Sequence, residues 1–120
     1  MNKKQLLLAL VALLLSGSSI RPATAVQTSP TRIEVTAQRF HFEPAEITLK
    51  EGQPVVLVLK SVDVSHGLRF QELNINLKVS KGGTTEVEFT PEKTGEFVGH
   101  CAVFCGVGHG NMKLTLHVVQ

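Results

Sequence analysis

The chain has 120 residues, 42% of them hydrophobic and 18% charged, with 10 Gly, 5 Pro and neither Trp nor Tyr, a balance that fits one globular domain and excludes collagenous or disordered classes. Its formal charge of +2 is set by the first 25 residues, which carry Lys3, Lys4 and Arg21 and no acid; removing those three of the 12 Lys and Arg leaves nine against 10 Asp and Glu. No cluster of positive charge remains to neutralise phosphates, which excludes a nucleic-acid or anionic-membrane partner.

Residues 1–25 have the three parts of a secretory signal: Lys3 and Lys4, the apolar run from Leu6 to Leu15, and a small-residue stretch ending Ala23-Thr24-Ala25. The apolar run is about half the roughly 20 residues that a spanning helix needs. Cleavage after Ala25 is expected, with a soluble, periplasmic product and no stable membrane span. Such a compartment oxidises thiols, so two cysteines there call for a disulfide, a metal, or both in turn.

Residues 26–31 form a short polar lead-in, and a single all-β domain is expected over 32–120. Ile33, Val35 and Ala37 alternate with Glu34, Thr36 and Gln38, and Ile47 and Leu49 with Thr48 and Lys50. Thr85, Val87 and Phe89 do the same with Glu86, Glu88 and Thr90. This period of two predicts strands with one wet face. Val55 to Leu59 is apolar without a break and predicts a central strand covered on both sides. Turn residues between the strands, such as Glu51-Gly52 and Lys81-Gly82-Gly83, give a Greek-key sandwich or small barrel. The one place for a short helix is 71–76.

The chemistry is concentrated in residues 100–112, His-Cys-Ala-Val-Phe-Cys-Gly-Val-Gly-His-Gly-Asn-Met, between a strand around Glu96 to Val98 and the last strand, Lys113 to Val119. Gly106, Gly108 and Gly110 each cost a helix about 1 kcal/mol relative to Ala. An extended strand would hold residues four apart about 13 Å from each other. A wrapped loop is therefore the conformation in which Cys101, Cys105, His109 and Met112 converge. His66, in Asp63-Val64-Ser65-His66-Gly67, can reach them from a separate strand end. Two thiolates, imidazole and thioether suit copper, above all Cu(I), and zinc to a lesser degree. A disulfide between Cys101 and Cys105, a Cys2His2 zinc site and a one-copper site are the alternatives on the same residues.

The C-x3-C-x3-H-x2-M spacing, the upstream D-V-x-H and the run Phe89-Thr90 to Thr94-Gly95-Glu96 make the chain resemble, from about Ile33 to Val119, the cupredoxin domain that carries the CuA centre in cytochrome c oxidase subunit II. The resemblance implies a cupredoxin-like fold and a centre of two copper ions. Cys101 and Cys105 would bridge both, His66 and His109 would each bind one, Met112 would be a weak axial ligand, and the backbone carbonyl of Val103 would face the other ion. It further implies a one-electron carrier rather than an enzyme, monomeric, with a c-type cytochrome or a terminal oxidase as redox partner. Cu(I) delivery or storage is the competing function. Three features depart from that subunit: Val at 103 in place of Glu, a signal in place of the membrane anchor, and no Trp-containing aromatic segment. Phe97 and Phe104 are the candidates for an electron route. Outside the loop, His117 and His41 are expected at the surface, His100 pointing away from the ligands, and Asp63 bonded either to His66 or to its own strand end.

Overall fold

In the computed structural model, which describes residues 17–25 and 28–120, the alternating segments form nine strands. They are β1 (Thr31–Gln38), β2 (His41–Glu43), β3 (Glu46–Lys50), β4 (Val55–Ser61), β5 (His66–Phe70), β6 (Ile75–Val79), β7 (Thr84–Phe89), β8 (Gly95–His100) and β9 (Lys113–Val119). Four make one sheet in the order β2-β1-β4-β7, and five make the other in the order β3-β9-β8-β5-β6. β1 runs parallel to β4 and β3 parallel to β9, while the remaining pairs are antiparallel. The expected all-β sandwich is the observed architecture. Most of the leader, residues 1–16, lies outside the described residues, as do residues 26 and 27 of the lead-in. Among the described residues no helix is long and apolar enough to cross a membrane.

The two sheets meet through the apolar residues of alternate positions. Val35, Leu57 and Leu59 from one and Leu68, Leu77, Leu114 and Leu116 from the other belong to one buried core. β4 is interior, as its unbroken apolar run predicts, and Val58 is buried on the face opposite Leu57 and Leu59. In register, Val58 lies between Glu34 and Glu86. The ion pairs Lys60–Glu34 at 2.5 Å and Arg32–Glu86 at 2.8 Å run across that face, where aliphatic stems cover the valine.

The short helix expected over 71–76 is absent. Gln71 to Asn74 make a turn, closed by the Asn74 N–H donating to the Gln71 carbonyl at 3.2 Å, with Asn74 at φ 53°. β6 follows at once because Ile75, Leu77 and Val79 bury one side, a period of two that overrides any helical tendency.

Candidate metal centre

Two separate stretches of chain supply the site. After β4 the backbone bends at Val62 to Ser65 and re-enters the sheet with His66 as the first residue of β5. Between β8 and β9 the chain leaves the sheet at Cys101 and returns at Lys113. The two ends of this loop are tied by the Cys101 N–H donating to the Met112 carbonyl at 3.1 Å. A single 3₁₀ turn, His109–Asn111, brings Met112 inward. Gly67 makes room for the loop on β5, since a Cβ there would lie 3.0 Å from the Val103 nitrogen and 3.1 Å from Ala102 Cβ.

The six residues expected at the site come together. Cys101 Sγ lies 3.9 Å from His66 Nδ1, 3.8 Å from Cys105 Sγ and 3.2 Å from the Val103 carbonyl oxygen. Cys105 Sγ lies 3.8 Å from His109 Nδ1 and 3.9 Å from Met112 Sδ. His66, Met112 and both cysteines are buried, whereas His109 is half-buried and stacks at a tilt against exposed Phe104, ring centroids 5.6 Å apart. The cysteines are free thiols, and 3.8 Å is well beyond an S–S bond of about 2.05 Å.

The expectation of two copper ions is corrected by this geometry. Around one ion, donors at bond lengths of about 2.0–2.3 Å lie within about 4.6 Å of one another. Among the described His, Cys, Asp and Glu side chains, the group that comes close to such spacing is His66, Cys101 and Cys105, whose donor atoms all lie within 4.8 Å of each other. His109 approaches Cys105 but stands outside that set, so the cluster is sized for one ion. The donors fit copper by their chemistry, two soft sulfurs and an imidazole in a buried setting.

Hydrogen bonds orient the donors. His66 Nε2–H donates to Asp63 Oδ1 at 2.7 Å, which leaves Nδ1 free to face Cys101. Asp63 also accepts from the N–H groups of Val64 and Arg39, each at 2.7 Å, so it serves both of the roles expected for it, strand-end cap and support for His66. Partial burial pushes the Asp63 carboxyl up. The hydrogen bond from the Arg39 N–H, with those from His66 and Val64, outweighs this and holds it at about 2. Burial and the neighbouring Cys101 thiol push the Cys105 thiol up to about 11, against a smaller opposing pull from Arg39. In the metal-free state at neutral pH that thiol keeps its proton, which a soft cation must displace.

The other histidines stay out of the cluster. His41 is exposed and accepts from Gln38 Nε2 at 2.8 Å. His117 lies between Glu46 and Glu96, 3.5 and 3.6 Å away. His100 is exposed, on the wall of a cleft of about 720 Å³ that also touches Cys101, His109 and Arg69. Phe97 is half-buried against the core.

Two residues at the loop escape a reading of the sequence. Arg39 Nε donates to the Cys105 carbonyl at 2.8 Å, and the Phe40 ring lies against Gly106 and Gly108. The only trace they leave in the sequence is the slip in alternation at Arg39-Phe40-His41-Phe42, where the chain makes the tight turn between β1 and β2.

Residues 6–113 match the family described as Cupredoxin-like domain. Cytochrome c oxidase subunit 2 of Thermus thermophilus is 37% identical over 102 residues, which are 82% of this chain and 76% of that protein. Against a second, longer form of the same subunit from that species the match spans 61% of the relative's length. The periplasmic domain of subunit II of cytochrome oxidase (CoxB) of Bradyrhizobium japonicum superposes with a TM-score of 0.71 at 18% identity, over 79% of this chain and 88% of that one. Auracyanin A, a "blue" copper protein from Chloroflexus aurantiacus, superposes at 0.63 with 21% identity, over 76% and 100%. The chain thus belongs to the cupredoxin-like domain family, as a homologue of subunit 2 of cytochrome c oxidase.

Proposed function

We propose that this chain is an exported one-electron carrier holding a single copper ion at His66, Cys101 and Cys105. The observation that carries the reading is the cluster of three buried donor atoms, all within 4.8 Å of one another, drawn from two distant parts of a rigid sandwich. Two sulfurs and one imidazole favour Cu(I), and donors held by the sheets cannot rearrange freely when the ion changes charge. Bound copper would supply the one-electron couple. Met112 and His109 stand on the Cys105 side, where either can complete the shell. The Val103 carbonyl lies on the Cys101 side.

In this reading residues 1–25 direct export and 32–120 are the working domain. The partner is a redox protein such as a c-type cytochrome or a terminal oxidase. Phe104 and Val107, 78% and 100% exposed on the ligand loop, offer it an apolar contact close to the ion.

The test is copper content with the electron paramagnetic resonance spectrum of oxidised, copper-loaded protein. One copper per chain with single-nucleus hyperfine splitting and a reversible potential is expected. Two coppers sharing one electron, a colourless zinc protein, or Cu(I) that passes to an acceptor without a reversible couple would each overturn the reading.

A further inference from the structure

We propose that Arg39 and Phe40 are positioning residues which hold the Cys105–His109 part of the ligand loop in its metal-ready shape before any ion arrives. The purpose assigned to the loop rests on the copper reading, whereas the clamp itself is a matter of hydrogen bonds and packing. Both residues come from the β1–β2 turn, on the sheet opposite the one that supplies the ligands.

Outside the strands, the backbone hydrogen bonds of residues 101–109 lie at its two ends. One runs from the Cys101 N–H to the Met112 carbonyl; the others, from the His109, Asn111 and Met112 N–H groups to the Gly106, Gly108 and His109 carbonyls, all lie in the closing turn. The middle of the loop leans on side chains from elsewhere. Arg39 Nε–H donates to the Cys105 carbonyl at 2.8 Å while the Arg39 backbone N–H donates to Asp63 Oδ2 at 2.7 Å. Asp63 in turn holds His66. One residue of a third element therefore links the strand-end ligand to the loop ligand without using the metal.

Phe40 sets the shape of the following turn. A Cβ at Gly108 would lie 2.4 Å from Phe40 Cγ, and one at Gly106 would lie 2.8 Å from the ring edge. Gly108 has φ −90° and ψ 5°, a backbone that other residues adopt. Glycine is needed there for the ring rather than for the backbone. The loop lies flush on Phe40, and a single methyl group would lift it off.

The experiment compares Arg39→Met, Arg39→Lys, Phe40→Ala, Gly108→Ala and Phe40→Ala/Gly108→Ala with the parent chain and with Leu49→Ala, a buried change in the strand paired to the far end of β9. The first readout needs no copper: the rate at which a small thiol reagent modifies the folded, metal-free protein. Arg39→Met should raise it about tenfold, the size expected for losing a charge-assisted hydrogen bond, and Gly108→Ala should raise it comparably by lifting the loop off the Phe40 ring. Arg39→Lys, which keeps a cation and a donor, should recover most of the protection. The double variant should lose less than the summed single effects, because the methyl then meets no ring. The second readout is Cu(I) transfer to a chelator, expected to favour the chelator about 10–100-fold more in Arg39→Met. Wild-type thiol rates in Arg39→Met and Gly108→Ala, or rates that follow urea stability alone as in Leu49→Ala, would overturn the clamp. A parent protein that binds no copper would overturn the copper reading and leave the thiol comparison standing.

Discussion

Asp63 Oδ1 and His66 Nε2 are 2.7 Å apart, and this contact decides which imidazole nitrogen faces the thiols. With Nε2 carrying the proton, Nδ1 presents its lone pair toward Cys101. Asp63→Ala should lower copper affinity about 10–100-fold, the usual cost of removing a ligand's hydrogen-bond partner. Asp63→Asn, which retains an acceptor oxygen, should lose less. A chelator competition titration checks both, and parent-like affinity in Asp63→Ala would reduce the carboxylate to a cap for the bend.

Acid should also act through Asp63. Its pKa falls from an ordinary 3.8 to about 2 because the Arg39, His66 and Val64 donors outweigh its partial burial. A depressed carboxyl stabilises the folded state fully above its unfolded value, and that contribution disappears as pH falls through the folded value. The urea midpoint of the metal-free protein should therefore drop between about pH 4 and pH 2. In Asp63→Asn the drop should be shallower, and parallel curves for the two proteins would contradict the linkage.

Met112 is fully buried beside Cys105. Met112→Leu conserves volume and should cost less than about 1.5 kcal/mol of stability. Copper should stay bound while the reduction potential moves, as expected when a weak ligand tunes a copper site without building it. Voltammetry reads this directly, and an unchanged potential would leave Met112 a packing residue.

Gly99 lies on β8 against Phe70, where an added Cβ would come within 2.6 Å of the ring. Gly99→Ala should destabilise by about 1–3 kcal/mol, as overpacking does in a closed core. Because Cys101 follows two residues later, copper retention should suffer as well. Chemical denaturation and chelator transfer measure the two effects, and a stability equal to the parent's would show that Phe70 can turn aside.

Much of the fold can be read in the chain because period two is a local signal. Ile33, Val35 and Ala37, or Ile47 and Leu49, declare a face without knowledge of any neighbour. The donor chemistry is equally plain, since Cys101, Cys105, His109 and Met112 crowd into one glycine-rich stretch. The number of ions is a different kind of fact. It turns on which donor atoms all lie within 4.8 Å of one another, and spacing along a loop does not specify that. Arg39 and Phe40 are hidden for a related reason: their partners on the ligand loop are 66 or more residues away, and an arginine beside a phenylalanine carries no mark of what it will touch. The segment 71–74 suits a turn or a helix equally until β6 claims Ile75 for the core.

His66 and Cys101 are separated by 35 residues and Arg39 and Cys105 by 66, so the centre exists only after distant strands have paired. Such non-local topologies fold slowly, on the order of milliseconds to seconds. During that interval the two thiols, four positions apart, move together on a short flexible segment while their guards are still elsewhere. Newly made chains are then open to oxidation in a way that finished ones are not. Yield in the cell should depend on how quickly reductant or copper reaches the thiols, even where the mature protein is durable.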